Sequence, residues 1–237
     1  MASAIEINVL STTAMKMVFE ALAPRFERET GNRLAVRLGP SSQLEARLAG
    51  GEVADVAILA AAGVKELMTR GTIVAGSLVV VARSSIGIAV PKGAPKPDIA
   101  SVEGFKRAML EAKSIAVSKP VGGGQSGAHM AKIFAQLGIA EAMAAKAKYG
   151  AGGAAGLAGL VVLRGEAEIG IQQMAELMAV SGIDVVGPLP AELQGITPFT
   201  AAIPTNAVHA DAGRALIDFL ITPAAKSIIK AKGLEPA

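Results

Sequence analysis

The residues whose types and spacing point most directly to chemistry are Ser118-Lys-Pro-Val-Gly-Gly-Gly-Gln-Ser126. Consecutive glycines let backbone N–H groups turn inward with no Cβ in the way. The helix that the spacing of Met130, Phe134 and Leu137 predicts from Ser126 adds free N–H groups and a positive dipole end. Such a loop cradles anions. Its glycines do not follow G-x-G-x-x-G and no Lys-Ser/Thr pair closes it, so neither nucleotide-binding fingerprint is met. Taken alone, the loop serves equally as a plain strand-to-helix connection.

Other polar strand ends and helix starts share this chemistry. Ser11, Thr12 and Thr13 follow a strand-like run and precede helical spacing at Met15, Phe19, Leu22 and Phe26. Ser41 and Ser42 follow a second strand, and Ser42 with Glu45 three residues on predicts a capping box. Gly150-Ala-Gly-Gly-Ala-Ala-Gly opens a helix through Leu157, Leu160 and Val161. By itself that run favours close helix packing over ligand contact. Gln172 and Gln173 end the strand-like run from Ala167 and are candidate ligand contacts.

Composition excludes several function classes. There is no Cys, so thiol catalysis, thiolate metal sites and disulfides are out. Two histidines, His129 and His209, cannot build a His-rich metal site, and neither a metal nor a cofactor is expected. Basic residues number 23 against 20 acidic ones, without clustering, and with one Tyr and no Trp there is little to stack on bases. Nucleic acid is therefore not an expected partner. The apolar runs are strand-sized, far below the ~20 residues of a membrane helix. The opening Met-Ala-Ser-Ala-Ile-Glu-Ile has neither a charged n-region nor a hydrophobic segment, so no signal peptide is expected in it; the chain acts in the cytoplasm or has lost its leader.

These residues must be positioned by alternating strands and helices, the pattern of a parallel sheet whose ligands gather outside the carboxyl ends of strands. The stretch Pro91-Lys-Gly-Ala-Pro-Lys-Pro-Asp breaks regular structure, as a segment leaving one lobe for another does. Thr222-Pro223 predicts a capped final helix. The expected division is 5–84 plus 201–237 as one lobe and 88–196 as the other, with hinge crossings near 83–90 and 195–203.

In this order, Ile7-Asn-Val-Leu, Phe26-x-x-x-Thr-Gly31, Ser41-Ser-Gln-Leu, Gly51-Glu-x-Ala-Asp-Val, Leu78-Val-Val-Val-Ala, Arg164-Gly-Glu-Ala-Glu-Ile-Gly-Ile and Leu220-x-x-Pro223-x-Ala form a recognisable series. The sequence resembles the molybdate-binding protein family, a branch of the type II periplasmic solute-binding proteins of ABC importers. The resemblance implies an α/β fold of two lobes, with mixed sheets flanked by helices and a ligand cleft between the lobes. It further implies a periplasmic, monomeric receptor without enzymatic activity, which closes on a small anion and delivers it to a membrane permease. In that family a tetrahedral oxyanion is held by hydroxyls and backbone N–H groups. Carried onto this chain, the contacts fall on Ser11, Thr12, Thr13 and Ser41, with Ser42 beside them, and on Gln125, Ser126, Gly153, Ala155 and Gln173.

Three positions depart from the family pattern. Ala14 stands where a serine hydroxyl is usual, Gln173 where a tyrosine is, and Ser118 where the loop opens on an acidic residue. An amide presents both a donor and an acceptor, which suits a ligand carrying carboxylate and hydroxyl groups. The expected ligand is thus a molybdate- or tungstate-like oxyanion or a small organic carboxylate. Two other classes compete: a ligand-sensing regulatory domain of the same fold, and a hydrolase built on the i, i+3 pair Ser126 and His129. For the latter no carboxylate is in view to orient the histidine, which belongs more readily to a helix surface than to the cleft.

Overall fold

The computed structural model describes residues 4–150 and 156–237. The chain opens with β1 (Glu6–Thr12), α1 (Lys16–Thr30), β2 (Arg33–Gly39), α2 (Ser41–Ala49), β3 (Val56–Ala60), α3 (Ala61–Thr69) and β4 (Val79–Ser84). It continues with β5 (Ile86–Pro91), α4 (Val102–Glu111), β6 (Ile115–Val117), α5 (Gln125–Gln136), α6 (Ala140–Lys146), β7 (Ala147–Tyr149), α7 (Ala158–Leu163), β8 (Ile169–Gln173), α8 (Met174–Met178) and β9 (Ile183–Pro188). Last come β10 (Thr197–Ala202), α9 (Ala210–Leu220), α10 (Pro223–Ala231) and β11 (Glu235–Pro236). Two compact units result, one running through Ser84 and resuming as Thr197–Ala237, the other spanning Ser85–Ile196.

The first unit carries a six-stranded sheet in the order β11-β4-β10-β3-β1-β2. β1 runs parallel to β2 and β3, whereas β10 is antiparallel to both β3 and β4. The sheet is therefore mixed. Thr197 already pairs with Ser84, which places the whole of β10 in this unit. Val56 to Ala60 are all buried, as an apolar strand covered on both faces must be. Leu44, Leu48, Leu59, Val64 and Leu67 fill one layer of the core. Elsewhere in the unit the rings of Phe26 on α1 and Phe219 on α9 meet edge to face at 5.3 Å. Thr222 caps α10 by accepting the Ala225 N–H, with Pro223 in the first turn, as its sequence predicts.

The second unit carries five strands in the order β7-β6-β8-β5-β9. β6 lies parallel to β7 and β8, and β5 is antiparallel to β8 and β9. Phe105, Met109, Ile115, Met130, Phe134 and Ile171 form the larger of its cores, and Ala116, Ala158, Val161 and Val162 a smaller one. Burying each large side chain of this kind contributes about 1.5–3 kcal/mol. In both units the helices α2, α3, α5 and α8 begin directly after, or one loop beyond, the carboxyl end of a parallel strand. That is where polar side chains collect. Among the described residues no helix is long and apolar enough to cross a membrane.

Candidate functional site

In the first unit, β1 delivers three hydroxyls in succession. Ser11, Thr12 and Thr13 are all buried, because the strand ends inside the sheet, where Ser11 lies between Leu38 and Ile58 of its parallel neighbours. Ser11 donates to the Thr12 carbonyl at 3.4 Å. Thr13 opens a short 3-10 turn leading into α1, and its Oγ1 is buried with no hydrogen-bond partner. A buried hydroxyl without a partner costs about 1–3 kcal/mol unless something satisfies it.

Ser41, 4% exposed, is already employed: its Oγ accepts the Ala60 N–H at 3.1 Å, tying the start of α2 to the end of β3. Ser42, half-buried, sits in the first turn of α2. The capping box expected of Ser42 and Glu45 does not form. The helix starts earlier, after Pro40 at φ −59° and ψ 138°, and has no side-chain cap. Glu45, freed from that role, is partly buried, which together with nearby Glu66 raises its pKa.

In the second unit, α5 begins at Gln125, one residue before the expected start, with Gly124 preceding it in an extended conformation. Ser126 is buried and donates to Ser118 Oγ at 3.5 Å; Gln125 is exposed. The loop before the helix folds back on itself. A Cβ at Gly127 would stand 2.4 Å from the Lys119 carbonyl oxygen and 2.5 Å from that of Ser118. The glycine is required there by close backbone approach, not by flexibility.

His129 does not join Ser126. Its Nε2 donates to the Leu193 carbonyl at 2.8 Å, and Gly195 lies against the face of its ring. Next to it, Gln194 accepts the Ile86 N–H at 2.7 Å and returns an amide hydrogen to the Ile86 carbonyl at 3.0 Å. The pairing a hydrolase would need is absent, and the histidine instead fastens α5 to the connection at 191–196. Nothing in the sequence signals the role of Gln194, since it depends on which backbone passes beside it.

At the end of β8, Gln172 and Gln173 are each 4% exposed. They have different work. The Gln172 Oε1 accepts the Ala158 N–H at 2.6 Å, and its amide hydrogens serve the carboxylate of Glu176. Glu176, at the third position of α8, also accepts the Gln173 N–H, one half of a capping box with Gln173 in the capping position. Burial pushes the Glu176 carboxyl up to about 7, and the bonds from Gln172 and Gln173 restrain that rise. Gln172 is thus bound up internally. Glu176 escapes sequence reasoning that reads acidic residues as solvated helix faces, although its i, i+3 spacing from Gln173 is a usable signal.

Gly153 and Ala155 lie outside the described residues. The placed candidates are hydroxyls and amides, with no cation among them. Among the described residues no group of three or more His, Asp or Glu side chains could hold a metal ion.

The model of one family, bacterial extracellular solute-binding proteins, matches residues 7–235. An aconitate isomerase from a Pseudomonas species is 34% identical over 236 residues, covering 97% of this chain and 87% of the relative. The molybdate-binding protein ModA of Azotobacter vinelandii is 27% identical over 239 residues, covering 98% and 90%. Among solved structures, the periplasmic molybdate-binding protein of Azotobacter vinelandii superposes with a TM-score of 0.82 at 20% identity, covering 98% of this chain and 99% of that one. That superposition bears out the fold expected from the resemblance, a type II periplasmic binding protein with mixed sheets flanked by helices.

Proposed function

Because this chain belongs to the family of bacterial extracellular solute-binding proteins, we propose that it captures a small organic carboxylate as the receptor of an ABC importer. The buried, uncharged donor set carries the reading: Ser11, Thr12, Thr13, Ser126 and Gln173 are all nearly inaccessible to solvent and all neutral. Neutral hydroxyls and amides stabilise an anion by directed hydrogen bonds, each worth more in a dry site than in water. The amide of Gln173 adds an acceptor that a fully deprotonated tetrahedral oxyanion cannot use but a hydroxyl-bearing carboxylate can. The name of the 34% identical relative points to a carboxylate ligand as well, one without a hydroxyl.

In this reading a membrane permease takes the ligand from a monomeric, periplasmic receptor. Calorimetry with molybdate, tungstate, sulfate, citrate and trans-aconitate tests the assignment. Heat with a carboxylate and none with molybdate is the expected result. Heat with molybdate alone returns the site to oxyanions, and no heat with any anion refutes the reading.

A second reading has an observation of its own. Glu176 is a carboxyl that exchanges its proton near neutrality beside Gln173, as a group moving a proton in catalysis must. In a chain 34% identical to an aconitate isomerase, that supports isomerisation of an unsaturated polycarboxylate. Proton NMR of trans-aconitate incubated with the protein decides: a second isomer accumulating establishes turnover, and an unchanged spectrum leaves binding as the function.

A further inference from the structure

In the second unit the helices α5 and α6 share a pocket of about 150 Å³. Gly127, Met130, Ala131 and Phe134 line it from α5, at the spacing of one helix face. Ala140, Met143 and Ala144 do the same from α6. The larger side chains close its inner end: Met130 and Met143 are each 1% exposed, and both belong with Phe134 to the larger core of the unit. The alanines and Gly127 are too small to fill the remaining space. Exposed Pro120, Ala144 and Tyr149 put the mouth of the pocket at the surface. Two hydroxyls stand in its lining, those of Ser118 and Tyr149. Ser118 Oγ accepts from Ser126 at 3.5 Å and keeps its own hydrogen to donate. None of the lining side chains carries a charge at neutral pH.

We propose that this pocket binds a small uncharged molecule with one ring and one hydrogen-bonding head group, of the chemical class of a cyclic alcohol or a phenol. Size sets the body of the ligand: a cavity of about 150 Å³ walled by apolar side chains holds a single six-membered ring. Phe134 offers an aromatic surface to such a ring, and the flexible thioethers of Met130 and Met143 adapt to its outline. Charge is excluded, because an ion would give up its hydration to alanine, methionine and phenylalanine with no counter-ion in return. The hydroxyls of Ser118 and Tyr149 take the head group. A protein partner does not suit the site. Among the described residues, the large exposed apolar side chains here are Tyr149 and, one residue beyond Pro120, Val121, far short of the roughly 800 Å² per partner that a stable protein interface buries. The pocket shares the loop 118–126 with the proposed anion contacts, but it takes a neutral ligand and does not rest on that reading.

Tyr149 makes the site report on itself: the chain has one Tyr and no Trp, so its tyrosine fluorescence comes from the lining of this pocket alone. The experiment titrates the full chain with cyclohexanol, which does not fluoresce, and separately with cyclohexanecarboxylate, the same ring bearing a charge. The methyl resonances of Met130 and Met143 are followed by NMR in methionine-labelled protein as a second signal. Cyclohexanol is expected to give a saturating change in both signals with Kd on the order of 1 mM, and the carboxylate to bind at least about tenfold more weakly. Ala144→Leu, which fills the space from α6, should weaken cyclohexanol binding by at least about tenfold. Ala131→Leu fills it from α5 and decides if the first variant does not fold. The absence of a saturating change in either signal up to about 20 mM cyclohexanol overturns the proposal. Carboxylate binding as tight as that of the alcohol overturns it too, as does undiminished cyclohexanol binding in the folded leucine variants. Because cyclohexanol is uncharged, each of these outcomes is independent of whether the protein takes up an anion.

Discussion

The polar strand ends of the two units use different chemistry. The first unit offers hydroxyls on β1 and at the start of α2, groups that keep one charge state throughout the physiological range. The second offers amides on β8, bonded to a carboxyl that titrates near 7. Hydroxyls at Ser11, Thr12 and Thr13 need only the end of a buried strand to place them. The amide pair needs a strand, the helix after it and the start of α7 to be in register at once. The first arrangement resists change in pH, and the second responds to it.

Substitutions can break or sharpen that contrast. The largest effect is expected at Gly127, where an added methyl would be driven into two carbonyl oxygens. Gly127→Ala should cost about 3 kcal/mol in urea unfolding, whereas Ser41→Ala in the first unit, which loses one bond to the Ala60 N–H, should cost about 1 kcal/mol. Equal losses would mean the loop yields more easily than its packing implies.

Gln172→Leu comes next. It strips partners from both the Ala158 N–H and Glu176, at about 2 kcal/mol by chemical denaturation. The same change should move the Glu176 titration further up, because the Gln172 bond lowers it; carboxyl NMR would show the shift.

Stability of the unsubstituted protein should itself depend on pH. The native state keeps a proton on Glu176 up to about 7, while the unfolded chain loses it near the ordinary 4.5. Below 4.5 both states are protonated and the effect is nil. As pH rises from 4.5 to about 7 the folded form loses about 3 kcal/mol, and above 7 the loss is complete. Melting of Glu176→Gln across that window should lack this component, and a slope unchanged by the substitution would assign it to another group.

Thr13→Val is the smallest change in stability and the most diagnostic for ligand. Replacing a buried hydroxyl whose Oγ1 has no partner by a methyl should leave stability level or raise it by about 0.5 kcal/mol. Anion affinity measured by calorimetry should fall by about five- to tenfold. Undiminished affinity would take Thr13 out of the site and confine ligand recognition to other residues.

Much of this was legible in the sequence because it is local. Strand and helix periodicity located β1, β2, β3 and their helices, Thr222-Pro223 marked the cap of α10, and runs of hydroxyls or glycines after strands marked the polar ends. Local reading failed where the deciding partner is distant in the chain. Ser42 and Glu45 have the spacing of a capping box, yet Pro40 starts the helix earlier. His129 and Ser126 have the spacing of a catalytic pair, yet Leu193, 64 residues away, takes the imidazole.

The sequence by itself determined the α/β class, the absence of thiol chemistry and the neutral character of the polar strand ends, since composition and short-range periodicity encode these directly. Tertiary structure alone decided that Gln172 is spent on Ala158 and Glu176 while Gln173 stands in the capping position of α8. The two glutamines are adjacent and chemically identical. Only the fold, by bringing α7 to one and α8 after the other, gives them different surroundings and gives Glu176 a proton to exchange near neutrality.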